Sequence, residues 1–490
     1  MPKGKQACRF VSADTLVGGD MAGIRAFFIA AILAVFLAPS SSHSEPCTTK
    51  TGDALEVCHT FAGGDNDGEF PQAGVTIDTD GTLFGTTFGG FVADPGRRCT
   101  KSCGNAYHAN ADGGASQIFA FDGATSGSFP AGELLIAKNG NLYGTTEYGP
   151  GTGCGGLGCG SLFKFSKDGS NAVSNHLCML DACGEGINPH AGLVSDERQQ
   201  EHFYGTATFG GTGYGWLCGN SYGGCGTVFE VDDQGSALTA VPLYSFCQKS
   251  DCKDGAVPSG RLLLDTRPGQ PLRFFGTTEY GGAHARGVIF QLTCCDQNGN
   301  WKEKILYSFC SLANCSDGTD PETGLIMDSN GTLYGTTALG GAHTVGDPTC
   351  ANEENGLGCG TVFRLDPPYK ATNYHSLHLF TGGVGDGQEP QGELVLNGNT
   401  LYGTTLVGGG THCGHTNGCG VLFSLPATGG ATTILHSFGA ASQKVAQDGA
   451  HPNGALKLLD VQGNRYLYGV ARDKGLELDC CGTLYRYKIQ

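Results

Sequence analysis

Residues Asn141–Phe165 read NLYGTTEYGPGTGCGGLGCGSLFKF, and two phrases in this stretch decide the fold: LYGTT from Leu142 and GSLFKF from Gly160. The first recurs as LFGTT at Leu83, FYGTA at Phe203, FFGTT at Phe274, LYGTT at Leu333 and Leu401, and LYGVA at Leu467. The seven copies lie 59, 61, 71, 59, 68 and 66 residues apart. The second recurs as SQIFAF at Ser116, GTVFEV at Gly226, GVIFQL at Gly287, GTVFRL at Gly360, GVLFSL at Gly420 and GTLYRY at Gly482. A third phrase precedes each LYGTT, from AGVTID in the first unit to NGALKLLD in the last. A fourth, of the type LYSF, ends at Phe61, Phe246, Phe309, Phe380 and Phe438, with a weaker version near His176–Met179.

Each phrase is short, rich in β-branched and aromatic residues, alternating, and bounded by Gly, Asp or Asn, which are strand signals. Four short strands per unit, called a to d in the order GxLxxD, LYGTT, GTVFxL, LYSF, and seven units predict an all-β, seven-bladed β-propeller. The 83 glycines in 490 residues fit the many tight turns this needs. The chain starts with a d strand and ends with a c strand. Residues 55–61 are therefore expected to close the seventh blade, which removes an open edge. Between Phe121 and Gly132 there is little room for a d strand if SQIFAF is strand c, so blade one is expected to have three strands.

Gly153–Gly158 satisfies G-x-G-x-x-G, the dinucleotide-binding pattern, but a strand follows it rather than a helix. Without a helix N-terminus no amide cluster faces a pyrophosphate, so no nucleotide is expected there. No other cofactor is expected, and no nucleophile elbow, HExxH or P-loop phrase is present.

Ala26–Ala38 is an uninterrupted apolar run after Arg25, too short for a bilayer span and typical of a signal-peptide core. Residues 1–44 are read as the signal peptide, with Met21 an alternative start, and residues 45–490 as the propeller. Removing Lys3, Lys5, Arg9, Arg25, Asp14 and Asp20 leaves 25 basic against 44 acidic residues. That balance argues against nucleic acid or an anionic membrane surface. Twenty-two of the 23 cysteines follow the leader, an even number that in an exported chain means disulfides. No membrane insertion is expected after cleavage, and a monomer is expected.

The repeated unit LYGTTxxGG…GxGTVFxL…LYSF…DGxxPxGxLxxD resembles the bacterial GloVer-type tandem repeats, also called choice-of-anchor repeats, over residues 55–487. The resemblance implies a secreted or surface-exposed propeller-like array and no particular reaction. The chain stops after GTLYRYKIQ with no anchor, which favours free secretion; periplasm and cell surface stay open.

Close cysteine spacings suggest local staples: Cys47–Cys58, Cys99–Cys103, Cys154–Cys159, Cys178–Cys183, Cys218–Cys225, Cys247–Cys252, Cys310–Cys315, Cys350–Cys359 and Cys413–Cys419. The adjacent pairs Cys294–Cys295 and Cys480–Cys481 are read as vicinal disulfides. Disulfide outweighs zinc throughout. Asp-Gly strings such as Asp78-Thr79-Asp80-Gly81 are read as hairpin turns rather than calcium loops, since they lack the twelve-residue frame and closing glutamate.

Strands alternate in direction, so the long b–c and d–a loops share one face, where function is expected. Tyr214, Trp216 and Tyr222 in the third b–c loop suit stacking on sugar rings or a protein hot spot, or else form a small core under their own loop. Glu147 and Glu279 follow GTT in two blades and could do acid/base work on a glycosidic bond at the channel mouth. His284, His343, His412 and His415 could bind a metal, although solvated loop histidines are the plainer reading, and no metal is expected. The leading expectation is a secreted binding module for glycan or extracellular protein. The alternatives are an extracellular carbohydrate-active enzyme, a glycoside hydrolase or lyase, and a structural surface protein.

Overall fold

A glycine in the middle of a strand weakens it unless something packs where its side chain would be. In the computed structural model every copy of LYGTT supplies that something from the neighbouring c strand. The rings of Tyr107, Phe163, Phe229, Phe290, Phe363, Phe423 and Tyr485 lie over Gly85, Gly144, Gly205, Gly276, Gly335, Gly403 and Gly469. A methyl group on any of these glycines would come within 2.4–2.7 Å of its ring. Glycine and aromatic are thus one cross-strand pair repeated seven times.

The structure describes residues 46–49, 54–64, 66–89, 103–149, 154, 158–177, 184, 186–196, 202–218, 223–342, 350, 358–410, 418–439, 448–473 and 481–489. The signal-peptide reading of residues 1–44 lies outside them. Seven antiparallel sheets follow one another as the blades of a β-propeller. Blade two shows the plan, with Leu135–Ile136, Asn141–Thr146, Ser161–Ser166 and Val173–His176 paired in sequence. Blades three to six repeat it.

Blade seven combines both ends of the chain. Ala450–Val461, Asn464–Asp473 and Thr483–Ile489 pair in order, and Leu55–Thr60 adds the fourth strand against Thr483–Ile489. Thr48–Thr49 adds a short fifth strand. The ring is closed by hydrogen bonds between the termini, as the missing d and extra d phrases required.

Blade one corrects the sequence reading. It has four strands, Thr76–Ile77, Leu83–Thr87, Asn105–Asn110 and Gly113–Ala120. SQIFAF therefore belongs to strand d, and NAYHAN is strand c. The physical marker is Gly104, whose φ of 93° matches those of Gly160, Gly226, Gly287, Gly360 and Gly420 and which follows Cys103 as Gly160 follows Cys159. The Phe121 amide donates to the Gly104 carbonyl, just as Phe246 does to Gly226 and Phe438 to Gly420, which fixes Phe121 as the end of a d strand.

Threonine hydroxyls join the blades. The first Thr of GTT donates to a carbonyl at the start of the next blade: Thr86 to Pro130, Thr145 to Ala191, Thr206 to Gly260 and Thr277 to Thr323, at 2.8–3.3 Å. Each such buried bond contributes about 1 kcal/mol net, and losing the donor leaves a buried carbonyl short.

The Asp of the repeated Asp-Gly has a further role beyond turning. It accepts from the Tyr or His two residues before the strand-d Phe: Tyr244 to Asp254 at 2.8 Å, Tyr307 to Asp317 at 2.7 Å, and His436 with Asp448 at 2.8 Å. Backbone amides of the d–a loop complete the cage, as Gln248 and Lys249 do for Asp254.

Disulfides join Cys47–Cys58, Cys154–Cys159, Cys218–Cys225, Cys247–Cys252, Cys294–Cys295, Cys310–Cys315 and Cys350–Cys359. Cys103, Cys419 and Cys481 are also disulfide-bonded. Cys99, Cys178, Cys183, Cys413 and Cys480 lie outside the described residues. Among the described residues no helix is long and apolar enough to cross a membrane.

Candidate functional site

The lead-in to each inner strand carries a proline, and the residue before it sits in the left-handed region in all seven blades. These are Phe70, Phe129, Asn188, Val257, Asp320, Glu389 and His451, with φ between 51° and 63°. A residue before proline ordinarily prefers extended backbone, and β-branched Val257 at 63° is the most strained of the set. What holds them is hydrogen bonding in both directions. The Phe129, Asn188 and Val257 amides donate to Cys103, Cys159 and Cys225 carbonyls of the preceding blade at 2.8–2.9 Å. Their own carbonyls accept from the residue after GTT, so Phe129 fixes the backbone of Glu147 at 3.0 Å and Val257 that of Glu279 at 2.9 Å.

This bracing sets the walls of an axial cavity of 580 Å³, lined by residues of all seven blades and by the first residues of the b–c loops. Glu147 and Glu279 both line it, as do Glu322, His190 and Asn188. Bridges between d–a and b–c loops, such as Ser128 with Tyr148 and Ala256 with Tyr280, put its mouth on the long-loop face.

The floor is ionic. Arg261 Nε and Nη2 donate to the two oxygens of Glu393 at 3.1 and 2.5 Å. Lys457 pairs with Glu133 at 2.9 Å. Burial works against the charge of Glu393, but the Arg261 guanidinium holds its carboxyl below the ordinary range. A second cavity of 300 Å³, walled largely by Leu134, Leu135, Leu193 and Leu458, lies beyond this floor. Among the described residues it shares Glu133 and Arg261 with the first.

The wall carboxyls are poised differently. Burial pushes Glu147 upward, with His190 partly opposing. Glu322 is pushed up to about 8 by burial and then by the charges of Glu279, Asp320 and Glu389. Gln391 Nε2 donates to Glu322 Oε2 at 2.9 Å and opposes that shift. At neutral pH Glu322 is therefore mainly a neutral acid, able to donate a proton or a hydrogen bond, in a cavity that it shares with Glu279.

The blade-three loop places Tyr214 and Trp216 in water, 71% and 75% exposed. Trp216 does not tuck beneath its own loop. Gly215 between them rests on the Cys247–Cys252 disulfide, where a methyl would come within 2.3 Å of Cys252 Sγ. Cys218–Cys225 closes the other side of the loop. The three sulfurs of Cys218, Cys225 and Cys252 lie close enough to suggest a metal set, yet each is half of a disulfide. His284 is exposed. Tyr222, His343, His412 and His415 lie outside the described residues.

Sequence reasoning missed Glu133, His190, Arg261, Glu322 and Glu393. They occupy the variable places in an otherwise repeated P-x-x-x-L lead-in, and that variability within a repeat was the available signal.

No family model matches the chain, and no curated protein matches it. Solved structures do. A gluconolactonase from Xanthomonas campestris is 13% identical, with 73% of this chain and 90% of that one covered and a TM-score of 0.37. A quinohemoprotein alcohol dehydrogenase from Comamonas testosteroni is 12% identical over 89% of this chain and 76% of its own, at 0.46. A Trypanosoma rangeli sialidase is 9% identical at 0.36, over 78% of this chain, which spans 57% of its length. Likeness this distant says nothing about the site.

Proposed function

We propose that the chain is an exported glycan-binding protein that engages saccharide through its long-loop face. The observation that carries the reading is the pair Tyr214 and Trp216, exposed on a loop clamped between two disulfides. An aromatic that leaves the core and is held rigid costs little entropy to stack on a sugar ring. The leader-like N-terminus and the disulfides support export, and the repeat phrase supports kinship with GloVer-type proteins.

A second reading, glycoside hydrolysis, is favoured by one specific feature: neutral Glu322 shares the axial cavity with Glu279 and Glu147. Carboxyls in different protonation states are what acid/base cleavage of a glycosidic bond requires.

The test is titration calorimetry of the mature protein against neutral and acidic oligosaccharides, with a reducing-end assay on the same mixtures. Binding without turnover, lost on Trp216→Ala, supports the first reading. Turnover abolished by Glu279→Gln supports the second, and no binding to any saccharide overturns both.

A further inference from the structure

We infer that the axial cavity is an end-residue subsite, taking one non-anionic sugar ring at the terminus of a glycan. This rests on the glycan reading above and adds where the chain end goes and which sugars are refused.

The Arg261–Glu393 and Glu133–Lys457 pairs lie between the two axial cavities, so a ligand that enters from the loop face meets a floor. Opening that floor means separating paired, half-buried charges, which is costly. A glycan can therefore insert an end but cannot thread the axis.

A volume of 580 Å³ lies within the roughly 300–1,000 Å³ of small-ligand sites. Its lining mixes acceptors with donors, including His190 and the neutral acid of Glu322, which suits hydroxyls that both give and take hydrogen bonds. On the floor, Glu133 Oε1 is buried without a hydrogen-bond partner while Oε2 pairs with Lys457.

The floor ions cancel in pairs, and among the described lining residues the walls add the carboxyls of Glu147 and Glu279 against His190. A uronic or sialic carboxylate would enter this negative space at a penalty. Continuity with the aromatic loop supports the direction of the chain, because Thr208 and Phe209 line the cavity and open the same loop that carries Trp216.

The experiment uses the mature protein and named probes: maltohexaose, cellohexaose, xylohexaose and chitohexaose as linear neutral chains, cyclomaltohexaose as a chain without ends, and hexagalacturonate as an acidic chain. At least one linear neutral hexamer is expected to bind, and at least tenfold more tightly than cyclomaltohexaose and hexagalacturonate. Ser259→Trp, which fills the cavity, should weaken that hexamer at least tenfold. Glu147→Gln with Glu279→Gln should narrow the discrimination against hexagalacturonate about tenfold, and this second variant adds no bulk. Binding abolished by Trp216→Ala but unchanged by the cavity variants would overturn the end-residue subsite and leave the glycan reading standing. Hexagalacturonate bound as tightly as the neutral hexamers would also overturn the subsite, and no hexamer bound would overturn both.

Discussion

Three residues after the lead-in proline, blades two, four and six carry Glu133, Arg261 and Glu393, while blades one, three and five carry Gly74, Gly192 and Gly324. The backbone position is the same, and the alternation follows from crowding. A methyl on Gly74 would lie 2.4 Å from Glu133 Oε1, and one on Gly324 would lie 2.9 Å from Glu393 Oε2. The carboxylates of Glu133 and Glu393 thus occupy the space that a side chain at Gly74 or Gly324 would take. Within the blades, by contrast, Gly under an aromatic ring recurs without exception. The sevenfold repeat holds where residues pack against their own blade and breaks where the blades meet at the axis, which is where a single ligand would have to be recognised.

Removing one arm should break the alternation most severely. Glu393→Ala leaves the Arg261 guanidinium without its bidentate partner, and the expected loss is about 3 kcal/mol in denaturant unfolding, tempered by nearby Glu133. Arg261→Met with Glu393→Leu should restore most of that loss, because it removes both charges together. If the single variant unfolds like the wild type, the pair is not what holds the axis.

The next effect is smaller and depends on pH. Glu322 has an ordinary value of 4.5 and is pushed up to about 8 in the fold. Over that interval the folded state holds a proton that the unfolded state has released, so stability falls as pH rises. Glu322→Gln removes the penalty. Its unfolding free energy should match the wild type near pH 4 and exceed it above pH 8, by about 2 kcal/mol after discounting for water in an open cavity. A constant offset across pH would deny the crowded-carboxyl account.

The contrast between blade interior and axis also explains what could be read from the chain. The strand phrases were legible because each blade must solve the same packing problem, and ring closure followed from counting phrases. Blade one misled because SQIFAF imitates a c strand, while the true one, NAYHAN, lacks the Gly-Thr-Val-Phe pattern and announces itself only through Cys103-Gly104. Glu147 and Glu279 were legible as departures within a repeated phrase. Glu322, Arg261 and Glu393 were not, because no local pattern reports which lead-in residue crosses to another blade. The exposure of Trp216 could not be read either, since a stapled loop can fold its aromatic inward or outward with the same sequence spacing.

The mildest test is Gly324→Ala. Gly324 has no left-handed backbone requirement, so the only obstacle is space: the new methyl meets Glu393 Oε2 at 2.9 Å and the Arg261 carbonyl at 3.1 Å. The carboxylate is the far end of a flexible side chain and can give way, whereas the ring over Gly276 is buried and cannot. Gly324→Ala should therefore cost about 1 kcal/mol, well below the cost of Gly276→Ala, where a methyl would come within 2.5 Å of Phe290. The displaced Glu393 would keep a single rather than a bidentate bond to Arg261. A loss at Gly324 equal to that at Gly276 would mean that the axis is packed as rigidly as a blade interior.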